Sequence, residues 1–335
     1  MNRAHAPHPL SRLGWILPAA VVVVCGSALL GHARTTWEDL FGSNGTGGFW
    51  TLRIPRAALA AVAGGGLAVC GVVLQALFRN PLATPYTLGV ASGASLGAAC
   101  AFLAHVSGRV LGVPLITLAA LSGAAFAITL VYVMARLRAG RDMLQLLLAG
   151  VCVSYMSSAG VMGVTYLANQ AVTNDIVIWL MGSLARHQPR AIAEIAVVLA
   201  PVLAYACVAH RSIDLLAMGE EIAVTRGVSV DRTVWTLLTL AGVLTAVIVA
   251  NCGPIAFVGL LSPHIARALV GPRALPLLVA SAAVGAAFLA LADGLARSVS
   301  AAYEPPVGVL TNIIGAAFFF YLLATRRAAL GTTRF

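Results

Sequence analysis

Residues 54–77 read IPRAALAAVAGGGLAVCGVVLQAL, and beyond Arg56 this stretch holds no charged side chain. A helix rises about 1.5 Å per residue, so about 20 apolar residues cross the hydrocarbon layer of a bilayer. The run is long enough. Its glycines, Gly64-Gly65-Gly66 and Gly71, weaken a lone helix in water but let neighbouring backbones approach closely in lipid. This segment decides the fold class, an all-α polytopic membrane protein.

Further apolar runs lie near 13–32, 87–106, 112–135, 143–166, 191–209, 234–252, 254–270, 275–297 and 307–325, so about ten transmembrane helices are expected. Asn251-Cys252-Gly253-Pro254 predicts a tight turn between the seventh and eighth. The loops leave no room for a soluble domain, so residues 1–335 read as one transmembrane domain. Composition agrees: 60% of residues are hydrophobic and 10% charged, with a mean hydropathy of +0.94, against about 25% charged in soluble domains.

All 21 basic residues are arginine. Without lysine there is no Walker A motif, no kinase-type ATP anchor and no Schiff base, so ATP hydrolysis by this chain alone is not expected. Placing the N-terminus inside puts 14 arginines on one side and 7 on the other. That bias predicts both tails, 1–12 and 326–335, in the cytoplasm. It also accounts for the net charge of +10 without nucleic-acid binding. Arg3 and Arg12 before an apolar run, with Gly31-His32-Ala33 after it, resemble a signal peptide. Cleavage would put the remaining arginines out of phase, so an uncleaved helix is expected.

Six cysteines fall in or beside spans with no CxxC pair, and seven histidines lack HExxH spacing, so no metal site is expected. Most acidic residues fall in loops or at span ends, with Asp293 about a turn from one. No proton or sodium relay is visible at mid-membrane. Uphill transport would draw energy from another chain. Gly93-Ala94-Ser95-Leu96-Gly97 matches the G-x-S-x-G nucleophile elbow, with His105 or His264 as conceivable bases. That motif needs a strand–turn–helix context, whereas here Gly89, Gly93 and Gly97 predict a small-residue stripe on one helix face.

Residues 210–233 predict two short helices, broken at Gly219 and stopped at Gly227, exposed as an amphipathic knob or a solvated loop. Gly219-Glu220-Glu221 with Arg226-Gly227-Val228 resembles the coupling-helix segment of the FecCD family, the iron-chelate and cobalamin permeases of type II ABC importers. The resemblance continues through Leu52-Arg53-Ile54-Pro55-Arg56, Gln75-Ala76-Leu77-Phe78-Arg79-Asn80-Pro81-Leu82-Ala83, Trp179-Leu180-Met181-Gly182-Ser183, Gly253-Pro254-Ile255-Ala256-Phe257, Pro263-His264-Ile265-Ala266-Arg267 and Pro306-Val307-Gly308. It runs in order from about residue 50 to 325.

The resemblance implies a non-enzymatic permease subunit in the bacterial inner membrane. Its partners would be a second copy in a homodimer, two ATPase subunits that bind ATP and Mg, and a periplasmic binding protein. The chain itself would hold no cofactor. The cargo would be a ferric siderophore or haem, or next cobalamin, with an ion-coupled secondary transporter as the rival reading. By resemblance Gly219, Glu220, Glu221, Ala223, Arg226 and Gly227 contact the ATPase, and Arg53, Arg56 and Arg297 dock the binding protein. Met143, Gln145, Asn312 and Phe318 are candidates for the path wall, and residues 175–182 resemble a short helix at its mouth. The segment Arg138-Ala139-Gly140-Arg141-Asp142 departs from the family's usual gate composition.

Overall fold

The computed structural model describes residues 9–31, 49–136, 143–185, 189–299 and 304–331. The charged 138–142 segment and residues 1–8 and 332–335 of the tails lie outside the described residues. Thirteen α-helices are described: α1 (Pro9–Leu29), α2 (Ile54–Leu77), α3 (Val90–Leu103), α4 (Leu115–Arg136), α5 (Met143–Leu167), α6 (Gln170–Leu180), α7 (Pro189–Val208), α8 (His210–Met218), α9 (Glu220–Thr225), α10 (Val230–Cys252), α11 (Val258–Val270), α12 (Ala274–Val299) and α13 (Val307–Gly331). A two-stranded antiparallel hairpin, β1 (Arg109–Val110) and β2 (Val113–Pro114), precedes α4.

Among the described residues, seven helices are long and apolar enough to cross a membrane. Three shorter apolar stretches, Val90–Leu103, Val258–Val270 and Val307–Leu322, stand where the third, eighth and tenth spans are expected. The 87–106 and 254–270 spans therefore start later than expected. Gly89 has φ +75 and Phe257 φ +65, so each helix is preceded by backbone that cannot continue it. The tight turn expected at 251–254 is also corrected. α10 runs through Cys252, Gly253 turns at φ +70, and the chain continues non-helically to Phe257.

The helix that opened the sequence reading is the centre of the fold. α2 packs against α12, α11, α10 and α7, and most of it is buried. Its glycines explain how. A Cβ on Gly64 would strike the carbonyl of Gly285 in α12, and one on Gly71 would strike the carbonyl of Gly259 in α11. These helices meet backbone to backbone, where dispersion contacts replace the hydrophobic drive that lipid does not supply. The expected stripe on α3 is two-thirds right. Gly93 and Gly97 face Gly123 and Ala119 of α4, whereas Gly89 lies before the helix against Gly150 and Val153 of α5.

Candidate functional site

At the start of α2, Arg56 is buried. Its Nε donates to Oδ1 of Asp293 at 2.9 Å, its Nη2 lies in ion-pair contact with the same oxygen at 2.9 Å, and its Nη1 donates to Oε2 of Glu304 at 2.7 Å. Asp293 is fully buried on α12 and also accepts from Arg297, one turn on, at 3.1 Å. Arg297 Nη2 donates to the carbonyl of Ser27 on α1 at 3.0 Å, while its buried Nη1 has no hydrogen-bond partner among the described residues. The cluster thus ties α1, α2, α12 and the segment before α13. Arg53 lies beside it with its guanidinium against Gly31. Sequence reading offers Arg53, Arg56 and Arg297 as an outward-facing set. Arg56 and Arg297 instead turn inward, because two guanidiniums buried this deeply require the Asp293 carboxylate. Asp293 sits 237 positions from Arg56, and no local pattern announces that pairing.

Beside the other end of α2, α8 and α9 form an elbow. Gly219 joins them at φ +138, ψ +148, a conformation that favours glycine. α9 ends in a Schellman motif: the N–H of Gly227, at φ +80, donates to Val224 O at 2.9 Å, and that of Val228 to Ala223 O at 3.0 Å. The expected break and stop both stand. Glu221, Ile222, Val224, Arg226 and Gly227 are exposed and Glu220 is half-buried. Gly219 and Ala223 are buried. Those two set the elbow's shape, since a helix that packs one face on its neighbours hides every third or fourth residue.

The elbow is fastened to the core. Asp214 of α8 accepts from the backbone N–H of Ala274 at 2.8 Å, capping the start of α12. Arg267 of α11 donates to Gln75 of α2 at 2.9 Å, a clamp joining two of the motif blocks that sequence reading noted but did not connect. Three other blocks meet by backbone. Ser183 N–H donates to Cys252 O at 2.8 Å and Gly308 N–H to Gly182 O at 3.3 Å, and a Cβ on Gly182 would strike Pro254 O.

Of the path-wall candidates, Gln145 and Asn312 are exposed, while Phe318 is half-buried against His264, ring centroids 5.9 Å apart. The Met143 side chain lies outside the described residues. α5 packs on α3, α4 and α6, whereas α13 packs on α12 and α11. One chain therefore presents these two helices from separate packing groups. Between α3, α5 and α6 lies an open groove of about 570 Å³, lined by Ser92, Ser95, Ser158, Met162, Thr165 and Tyr166. Ser95 sits mid-helix and donates to Ala91 O at 2.9 Å. That bond occupies its hydroxyl within α3, in a context with neither the strand nor the turn of a nucleophile elbow.

A bundle of apolar helices held by buried ion pairs, with a short helical elbow on its surface, defines a multi-pass membrane protein. The comparisons place it more closely. The FecCD transport family matches residues 19–325, and this chain belongs to that family. It is 34% identical over 324 residues to the hemin transport system permease protein of Yersinia pestis, covering 95% of this chain and 97% of the relative. It is 43% identical over 280 residues to the cobalamin import system permease protein of Halobacterium salinarum, covering 82% and 73%. A solved inward-facing structure described as a metal-chelate type ABC transporter superposes with a TM-score of 0.81 at 31% identity, covering 93% of this chain and 99% of that one.

Proposed function

We propose that this chain is the permease subunit of an ATP-driven importer for a metal chelate, ferric siderophore or haem foremost and cobalamin next. The likeness over 93% of the chain to a metal-chelate type ABC transporter carries this reading. The hemin and cobalamin relatives support the cargo class. All ten apolar stretches cross the bacterial inner membrane as a single permease domain, with both termini in the cytoplasm, and two copies form the working dimer.

The elbow within residues 210–233 meets a separate ATPase subunit, two per transporter, which binds ATP and Mg. Glu220, Glu221 and Arg226 supply charged contacts, and Gly219, Ala223 and Gly227 hold the shape that presents them. Motion there reaches the bundle through the Asp214 cap on α12. The far end of α2 and α12 then faces the periplasm, where Arg53 and the cluster around Arg56 and Arg297 receive an acidic binding protein. α5 and α13, with Gln145, Asn312 and Phe318, face the path between the two copies, and alternating access opens it to each side in turn.

The test is uptake into proteoliposomes that hold this chain and its ATPase, with the binding protein loaded in turn with ferric siderophore, haem or cobalamin. ATP-dependent, vanadate-sensitive uptake of one cargo is expected. Uptake that follows an ion gradient and ignores vanadate would replace this reading with secondary transport.

A further inference from the structure

We propose that Glu304 is a built-in stand-in for the docking partner's carboxylate, holding Arg56 until an acidic side chain of the binding protein displaces it. The proposal rests on the docking role proposed above for this end of the chain. The two carboxylates on Arg56 differ in kind. Asp293 is fully buried and accepts from both Arg56 and Arg297. Removing it would strand two charges away from water. Glu304 has a side chain 46% exposed and, among the described residues, makes one ion pair, at 2.7 Å through Arg56 Nη1. A half-exposed pair is worth far less than a buried one. Nη1 is therefore the donor of Arg56 that a visiting carboxylate can take, and an exchange of carboxylate for carboxylate leaves the cluster's charge balance unchanged.

The position of Glu304 gives the exchange a consequence. Glu304-Pro305-Pro306 leads straight into α13 at Val307. Two prolines in succession have fixed φ, so little of a displacement at residue 304 is absorbed before the helix. At the second residue of α13, Gly308 N–H donates to Gly182 O, and a Cβ on Gly308 would strike Met181 O. Release of Glu304 therefore frees the start of α13, which carries Asn312 and Phe318, to move against the end of α6. Docking on one surface is thereby linked to a helix proposed to line the path.

The experiment measures affinity between the binding protein of the same transport system and the permease–ATPase complex in nanodiscs, for wild type, Glu304→Gln, Arg56→Gln and the double variant. Glu304→Gln is expected to tighten docking by about fivefold, the scale of an exposed ion pair, and to do nothing in the Arg56→Gln background. Unchanged or weaker docking by Glu304→Gln overturns the proposal. So does equal tightening in both backgrounds, which would mean a general field effect rather than competition for Arg56. If wild type docks and Arg56→Gln docks equally well, the docking role of Arg56 itself has failed. A melting temperature for Glu304→Gln within about 2 °C of wild type confirms that folding is not the cause.

Discussion

Arg56 near the start of α2 is buried against Asp293, whereas Glu221, in the elbow beside the other end of α2, stands exposed. Both come from sequence blocks that look alike in kind, short and charged at the margin of an apolar run. Their energetic situations are opposite. Around Arg56 the buried Asp293 carboxylate holds helices together out of reach of water, and only the outer donor, Nη1, is held by the half-exposed Glu304. In the elbow Asp214 caps α12, whereas exposed Glu221 and Arg226 add little to the fold and remain available to another molecule. The difference teaches that a charge at the end of a span offers a contact only through the donors that the bundle leaves to water or to a half-exposed partner.

The comparison can be broken from either side. The largest effect is expected from Gly71→Leu, which drives a side chain into the carbonyl of Gly259. Overpacking there should cost about 3 kcal/mol or more, read as loss of monodisperse protein in detergent. Wild-type yield would show that the backbone contact between α2 and α11 does not hold the bundle. Asp293→Ala comes next, because it leaves Arg56 and Arg297 without their shared partner. It should destabilise by roughly 3–5 kcal/mol, measured by thermal unfolding of the purified chain.

Gly219→Ala should cost about 1–3 kcal/mol locally, since alanine is strained at φ +138. Its signature is impaired coupling of ATP hydrolysis to uptake with the bundle intact. Charge reversal by Glu220→Arg with Glu221→Arg should change stability by no more than about 0.5 kcal/mol while abolishing co-purification of the ATPase. Stable protein that still binds its ATPase would break the contrast between the two ends. The smallest effect belongs to Ser95→Ala, whose hydroxyl, among the described residues, bonds within its own helix. Uptake should stay at the wild-type rate, and a large loss would return Ser95 to consideration as a nucleophile.

Much of the fold was legible because crossing lipid needs only length and apolar content. Residues 54–77, 143–166 and 275–297 each coincide with a helix within a few residues. The elbow was legible too, since Gly219 and Gly227 act through local backbone conformation. The starts of α3 and α11 were not. The 87–106 and 254–270 runs are apolar throughout, and hydropathy does not register a left-handed residue such as Phe257. The candidate site divides the same way. Exposed Glu221 and Arg226 follow from the helix pattern, while the inward turn of Ala223 follows from what α9 packs against.

Zero lysine, ten apolar runs and the bias of arginine between loops are properties of the chain as a string, and they determined its membrane class. Physical chemistry of single residues suffices for this, because lipid solvates each apolar side chain independently. Only the tertiary structure decided that Asp293 joins two arginines, that Gln75 clamps Arg267, and that Glu304 shares Arg56 with a buried carboxylate. Those outcomes depend on backbones meeting at Gly64 and Gly285 or at Gly71 and Gly259. Such close approach links residues some 200 positions apart, and no periodicity along the chain records it.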